Sequence, residues 1–146
     1  MISLIFVCHG SICRSPAAEM ICRSLSKDVS VCSRAVSYEE IGNDIYPPMK
    51  AELHRRGVPL SPHHAALLTK NDVRNADYVF YMDESNKRRL LAMGLYEEGK
   101  TLPIFAFTPS IDEVEDPWYT GRYELVCDQI TECVKDILDK IGARGL

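Results

Sequence analysis

The stretch ISLIFVCHGSICRSPAAEM, residues 2–20, passes from an apolar run through a short polar segment into a helical pattern. Residues 2–7 are almost all apolar and rich in β-branched side chains, which is typical of a strand buried on both faces. We expect Ser15 to cap a helix that begins with Pro16, whose missing N–H costs nothing there, and that ends near residue 26. Strand, tight loop and helix in this order predict the first unit of an α/β fold.

The rest of the chain alternates between strand and helix patterns in the same way. Further strands are predicted at 29–35, 77–82 and 101–107, and longer helices at 47–56, at 87–93 with Asp83 or Ser85 as the cap, and at 121–141. Short helical turns are expected at 63–67 and 70–74, and long irregular loops at 36–46 and 108–121. The alternation implies an α/β fold with an open parallel sheet and helices on both faces, and a single domain over residues 1–146. Ligands of such sheets bind beyond the carboxyl ends of the strands, where Cys8 lies.

The composition and charge argue against several classes of function. A net charge of -4 and a pI of about 5.6 disfavour a nucleic-acid-binding protein, which usually carries a basic surplus. No apolar run reaches the length of a signal-peptide core or a membrane span, so we expect no membrane association and a cytoplasmic location. The six cysteines are then interpreted as free thiols, and the absence of a Cys-x2-Cys pair argues against a structural metal site.

The loop after the first strand combines an anion site with a nucleophile. A loop that enters a helix N-terminus directs backbone N–H groups at one point, and Arg14 adds a planar fork that can hold two oxyanion oxygens. Cys8 is expected to ionise readily in this electropositive loop, and its thiolate would face a bound tetrahedral anion in line for attack on phosphorus. Gly10 allows the backbone to approach closely, and Ser15 can donate a hydrogen bond to the sulfur.

Each of these residues also has an ordinary structural interpretation. A cysteine at a strand end is usually a small buried hydrophobic residue, and an arginine near a helix start is usually solvated. The Cys-x5-Arg spacing alone leaves both interpretations open. The preceding strand, the Ser-Pro helix start and a second cysteine within the loop, Cys13, favour a phosphate-binding loop.

Three segments of the chain resemble the motifs of one family of enzymes. VCHGSICRSP (7–16), DYVFYMDESN (77–86) and DPWYTG (116–121) are similar, in the correct order, to signatures of the low-molecular-weight protein tyrosine phosphatases. The resemblance implies a four-stranded parallel sheet, and hydrolysis of phosphotyrosine monoesters and small aryl phosphates through a phosphocysteine intermediate, without a metal or other cofactor. It makes Cys8 the nucleophile, Arg14 and the backbone amides of 9–14 the ligands of the phosphoryl oxygens, and Asp116 the general acid.

The resemblance and the loop chemistry together indicate which residues bind the substrate. The cradle for the phosphoryl group is expected to comprise the loop residues His9, Gly10, Ser11, Ile12, Cys13 and Ser15. Trp118 and Tyr119 are expected to form one wall against the substrate ring, with Tyr38 and Glu39 opposite them. The expected partners are phosphotyrosine proteins or peptides, with inorganic phosphate or vanadate as inhibitors.

The loop departs from the family pattern at Ser11, where an asparagine is usual. That residue holds a strained turn through side-chain hydrogen bonds, so Ser11 must do this with a shorter side chain. Ser15, Ser33 and His63 match the other members of this supporting network, and the neighbouring His64 is an alternative to His63.

Related enzymes that share the loop differ from this chain at positions that the sequence identifies. Arsenate reductases coupled to thioredoxin need two further cysteines, and none occurs between Cys32 and Cys127. Protein arginine phosphatases usually carry threonine where this chain has Ile12, whose apolar side chain favours a flat aromatic ring. A phosphotyrosine-binding module without turnover is disfavoured because the nucleophile, the arginine and the general acid occur together.

Cys13 lies in the same tight loop as Cys8. A reactive thiolate oxidises readily to sulfenic acid, and we expect Cys13 to trap that product as a reversible Cys8–Cys13 disulfide. The other interpretation is that Cys13 only packs beneath the loop.

Overall fold

The computed structural model describes residues 1–142 of the chain. Its strands are β1 (Ile2–Cys8), β2 (Val29–Ala35), β3 (Tyr78–Tyr81) and β4 (Thr101–Pro103). Its helices are α1 (Arg14–Leu25), α2 (Pro47–Arg55), α3 (Lys70–Asn75), α4 (Glu84–Ala92), α5 (Pro117–Thr120) and α6 (Tyr123–Lys140). Over this part of the chain, no helix has the length and apolar character needed to span a bilayer.

All strand pairs are parallel, and the order across the sheet is β2-β1-β3-β4. β1 therefore has a hydrogen-bonded neighbour on each side, and Phe6 pairs with Ser33 of β2 and with Phe80 of β3. Because the strands are parallel, their carboxyl ends meet at one edge of the sheet. Cys8, the last residue of β1, lies at the middle of that edge. The expected four-stranded parallel sheet is confirmed.

Side chains of β1 alternate between the two faces of the sheet and enter two separate cores. One core contains Leu4 and Phe6 together with residues of α1, α2 and α6, and the other contains Ile5 and Val7 together with residues of α3 and α4. Each fully buried side chain of this size contributes about 1.5–3 kcal/mol to folding. The helices on both faces, as expected from the alternating pattern, fix the sheet edge that carries Cys8.

The start of α1 differs from the sequence prediction. The helix begins at Arg14, and Cys13 occupies the N-cap position without a side-chain capping bond. Ser15 lies inside the first turn, where its hydroxyl contacts Cys8 and Ser11. The prediction that Ser15 caps this helix is wrong because its hydroxyl is engaged by the loop.

Two predicted segments are also corrected. The strand predicted at 101–107 ends at Pro103, which has no N–H to extend the ladder, and 104–107 form a turn. Residues 63–67 are not helical, because this segment runs beside β2, where Ala35 N donates to Ala66 O at 2.8 Å.

The connections after β3 and β4 position two aspartates. Of the two caps left open for α4, the structure selects Asp83, whose Oδ1 accepts from Asn86 N at 2.8 Å. The predicted loop 108–121 contains α5, which the sequence did not predict and whose N-cap is Asp116. Both aspartates lie near the sheet edge that ends β1.

Candidate active site

The loop between β1 and α1 is strained at one residue and braced from two sides. Ser11 has a φ of +56° and is the only residue other than glycine with a positive φ among residues 1–142. Such a conformation costs about 1–2 kcal/mol for a residue with a Cβ. The Ser11 hydroxyl lies 2.9 Å from the Ser15 hydroxyl, and His63 Nε2 donates to the Ser11 carbonyl at 2.6 Å. Ser15 therefore contacts the Ser11 side chain as expected, whereas His63 binds the Ser11 backbone carbonyl and not its hydroxyl.

The sulfur of Cys8 faces the start of α1. Its Sγ lies 3.2 Å from the Ser15 hydroxyl, and the Ser15 backbone N–H donates to it at 3.4 Å. As a thiol Cys8 can donate to this hydroxyl, and as a thiolate it can accept from both groups. The side chain is buried, with 3% of its surface exposed. The sulfur of Cys8 is therefore accessible only to a group that enters the loop.

Arg14 is a fully buried cation with acidic neighbours. Its Nη1 donates to Asp83 Oδ2 at 2.7 Å and to the Val114 carbonyl at 2.8 Å, and its Nη2 lies 3.5 Å from Asp116 Oδ2. Burial works against the charged guanidinium, but Cys8, Asp83 and Asp116 together raise the pKa of Arg14 above its ordinary value. Arg14 is therefore a permanent positive charge in a fixed plane.

Asp116 is held by the helix that it caps. Its Oδ1 accepts from Trp118 N at 3.0 Å, which leaves Oδ2 facing Arg14. Pro117 begins α5, and Gly121 ends it with a φ of +72°. A quarter of the Asp116 side chain is exposed, so the carboxyl group can exchange protons with solvent or a ligand.

These groups surround one pocket of about 110 Å³. Its buried members are Cys8, Gly10, Ile12, Cys13 and Arg14. Its rim is formed on one side by Asp116, Trp118 and Tyr119, and on the other by His9, Glu39 and Glu40. A small concavity with a sulfur, a guanidinium and loop amides suits a tetrahedral anion and can bring it close to a carboxyl group.

The aromatic rim is only partly as predicted. Trp118 is half exposed and packs on Tyr46, with ring centroids 4.7 Å apart. Tyr119 is 84% exposed but still lines the pocket. Tyr38 is 76% exposed and does not line the pocket, so its expected place in the opposite wall is corrected. Glu40, which the sequence analysis did not single out, lies there beside Glu39.

Ser33 is the other residue that the structure does not bring into the site. Its hydroxyl donates to Glu19 Oε1 at 2.7 Å, because a buried carboxylate on α1 attracts it away from Ser11. The alternative between the two histidines is also resolved by position. His63 is buried at the loop, whereas His64 is exposed and lies 3.4 Å from the Gly42 carbonyl.

Asp83 was missed as a site residue. Its motif was noted in the sequence, but only the fold shows that its Oδ2 reaches the guanidinium of Arg14. Its position directly after β3, at the edge shared with the end of β1, is the signal that could have identified it.

The six cysteines are free thiols in the structure. Burial, followed by the nearby Cys8 and Asp116, raises the pKa of Cys13 far above the ordinary value for a thiol. Cys13 is therefore protonated at neutral pH.

The comparisons with known proteins agree on one family. A family model described as low molecular weight phosphotyrosine protein phosphatase matches residues 3–145. The human protein of that name is 34% identical over 160 residues, covering 94% of each chain. YfkJ of Bacillus subtilis, a low molecular weight protein-tyrosine-phosphatase, is 31% identical over 150 residues, covering 97% of this chain and 96% of its own.

Solved structures extend the likeness to the fold. The crystal structure of YfkJ matches with a TM-score of 0.90 over 97% of this chain and 95% of its own. A structure of the YwlE arginine phosphatase, a cysteine-to-serine mutant with a phosphorylated active-site serine, matches with a TM-score of 0.84 at 25% identity, covering 97% and 96%.

Proposed function

The chain belongs to the low molecular weight phosphotyrosine protein phosphatase family, and we propose that residues 1–146 form one catalytic domain in which Cys8, Arg14 and Asp116 carry out the chemistry. The protein is a tyrosine phosphatase that works through a phosphocysteine intermediate. The observation that supports these roles best is the single small pocket that holds the sulfur, the buried guanidinium and the carboxyl group together.

In the first step, the Cys8 thiolate attacks phosphorus in line with the leaving phenolic oxygen. The S–P bond forms as the P–O bond breaks, and Asp116 gives its proton to the departing phenolate. The bonds from Arg14 Nη1 to Asp83 and Val114 fix the guanidinium plane, so that Nε and Nη2, which lies 3.5 Å from Asp116, donate to the phosphoryl oxygens. Together with the amides of 9–14, this electrostatic stabilisation supplies the largest part of the rate enhancement.

In the second step, water attacks the phosphocysteine. Asp116, now a carboxylate, takes a proton from the water, the S–P bond breaks, and Cys8 leaves as a thiolate. Ser15 stabilises that thiolate through its hydroxyl and its backbone N–H, which both lie within reach of the sulfur. Inorganic phosphate, and vanadate as its analogue, bind the same cradle and inhibit.

The substrate class follows from the depth and the rim of the pocket. Phosphotyrosine is long enough to bring phosphorus to a buried sulfur, whereas phosphoserine and phosphothreonine are shorter. Ile12 and the Trp118 ring offer apolar surface to an aryl group. Phosphoarginine is also long, and the likeness to an arginine phosphatase makes it the competitor to test.

Trapping the covalent intermediate tests the mechanism. Wild-type protein quenched in acid during turnover of p-nitrophenyl phosphate is expected to carry one phosphoryl group on the tryptic peptide 1–14, at Cys8. The Cys8→Ala variant is expected to carry none and to lose turnover while still binding vanadate, since Arg14 and the amides remain. Steady turnover by a folded Cys8→Ala protein would contradict the covalent mechanism.

A reversible oxidation of the site is part of the proposal. Peroxide converts the Cys8 thiolate to a sulfenic acid, and the Cys13 thiol then displaces water to form the Cys8–Cys13 disulfide. Both residues line the same pocket, which supports this step. A cytoplasmic location is also part of the proposal, and cell fractionation tests it.

A further inference from the structure

A second concavity opens beside the phosphate pocket and shares Ile12 and Glu40 with it. This flank groove, of about 750 Å³, is far larger than the pocket, and its lining includes Tyr46, Pro47 and the exposed Leu60. The pocket, at about 110 Å³, opens between Trp118 and Tyr119 on one side and Glu39 and Glu40 on the other. The residues next to a phosphotyrosine held in the pocket must therefore lie across this rim, which borders the flank groove.

Glu40 stands where the pocket and the flank groove meet. Its Cγ packs so closely on the loop that a Cβ at Gly10 would lie 3.0 Å from it, and its Oε2 accepts from Asn43 at 2.6 Å. Within residues 1–142, no ion pair joins Glu40 to a lysine, arginine or histidine, whereas Asp44 in the same groove is paired with Lys50. Glu40 is therefore an acidic side chain at the junction that has no ion-pair partner within residues 1–142, while Lys50 and His54 line the flank groove farther from the pocket's lining.

We propose that the flank groove binds the residues next to the phosphotyrosine of a protein substrate, and that Glu40 selects substrates with a lysine or arginine there. This inference rests on the proposed function, because the pocket must hold the phosphotyrosine. Because the pocket and the flank groove share lining residues, one peptide can occupy both. The net charge of -4 disfavours a second copy of the chain as the occupant.

The test compares phosphotyrosine peptides that differ only in lysine, alanine or glutamate at the positions flanking the phosphotyrosine. Wild type is expected to prefer lysine over alanine by about two- to fivefold in kcat/KM, the range of one partly solvated ion pair. Glu40→Gln should abolish that preference, and Glu40→Lys should reverse it toward glutamate. Both substitutions keep the Cβ and Cγ that pack on Gly10.

A control removes one carboxylate elsewhere. Glu98 is exposed in the connection that leads into β4, at the opposite edge of the sheet, and Glu98→Gln should keep the wild-type preference. Comparing peptides within each variant cancels any general effect on the loop. A second arm uses Leu60→Ala, which should raise KM for peptides more than for p-nitrophenyl phosphate.

The outcomes separate the two proposals. Equal rates for lysine and alanine peptides in wild type, or a preference that survives Glu40→Gln, overturn the inference while phosphotyrosine hydrolysis stands. If no phosphotyrosine peptide is hydrolysed although p-nitrophenyl phosphate is, the proposed substrate class fails and the inference fails with it.

Discussion

Arg14 and Asp83 lie 69 positions apart in the chain and meet through a 2.7 Å hydrogen bond from Nη1 to Oδ2. The other oxygen of Asp83 caps α4. The carboxylate of Asp83 therefore fixes two groups. One oxygen holds the guanidinium of Arg14 at the pocket, and the other caps α4, the helix that follows β3. Asp83 is a positioning residue, because it acts on the anion through Arg14.

Substitution of Asp83 separates these two tasks. Asp83→Ser keeps a capping hydroxyl but removes the partner of Arg14, so kcat/KM and phosphate affinity are expected to fall about 10- to 100-fold, the range for a lost charge-assisted hydrogen bond. Asp83→Ala loses the cap as well, so its free energy of unfolding should be about 1 kcal/mol lower than that of Asp83→Ser. Inhibition by phosphate and urea denaturation measure the two effects. Phosphate affinity equal to that of wild type in Asp83→Ser would show that Arg14 needs no such support.

Asp116→Asn tests the proton donor. Asparagine is also a good helix cap, so α5 and Trp118 should keep their places while proton transfer is lost. Turnover is expected to slow about 10²–10⁴-fold, with a larger loss for aryl phosphates whose leaving groups are poor. The dependence of kcat/KM on leaving-group pKa is the measurement, because kcat/KM reports the step in which the leaving group departs. An equal loss for every leaving group would assign the proton to another residue.

The two adjacent histidines give a matched pair of variants. His63→Ala removes the hydrogen bond that holds the strained Ser11 carbonyl, so it should cost about 1–3 kcal/mol of unfolding free energy and weaken phosphate binding. His64→Ala, on the exposed side, should change stability by no more than about 0.5 kcal/mol. If the two variants behave alike in denaturation and in phosphate inhibition, the loop does not depend on His63.

Ile12 tests the choice between phosphotyrosine and phosphoarginine. Ile12→Thr is expected to shift the ratio of kcat/KM values toward phosphoarginine by about 1–3 kcal/mol, the range for one altered pocket contact. Ile12→Val has the same shape as threonine without the hydroxyl, so the difference between the variants isolates the polar group. A wild-type protein that prefers phosphoarginine would overturn the tyrosine assignment and leave the cysteine mechanism intact.

Oxidation tests the pairing of Cys13 with Cys8. Because burial raises the pKa of Cys13, its thiol should resist alkylation at neutral pH in the folded protein and react only after unfolding. After peroxide, peptide mapping should find a Cys8–Cys13 disulfide, and dithiothreitol should restore activity to wild type more completely than to Cys13→Ser. Cys32→Ser is the control, because it removes a half-buried thiol on β2. Equal recovery in all three proteins would assign Cys13 to packing alone.

The sequence predicted the parts of this molecule that local chemistry decides. The apolar run of β1, the loop with Cys8 and Arg14, and the alternation of strands and helices are written in consecutive residues. Position in the fold then places Asp116 at the same pocket. The sequence could not show which hydrogen-bond partner a side chain selects when several partners lie within reach.

Two corrections and one missed contact have that origin. The Ser15 hydroxyl is taken by Cys8 and Ser11 and does not cap α1. Ser33 is taken by the buried Glu19. The contact between Arg14 and Asp83 arises only because β3 lies beside β1, and that neighbourhood is a property of the whole sheet.

The hydrogen bond from Arg14 to the Val114 carbonyl joins positions 100 residues apart, which bears on how the protein folds. The pocket uses residues that follow β1, β2 and β4, so several long chain closures precede its completion, and such closures are slow. A partly folded chain lacks the complete pocket, so phosphate binds the native state alone. By mass action, phosphate at 100 times its dissociation constant would stabilise that state by about 2.7 kcal/mol. Recovered turnover after refolding therefore reports the completion of the pocket, and the product of the reaction is also a ligand that holds the enzyme folded.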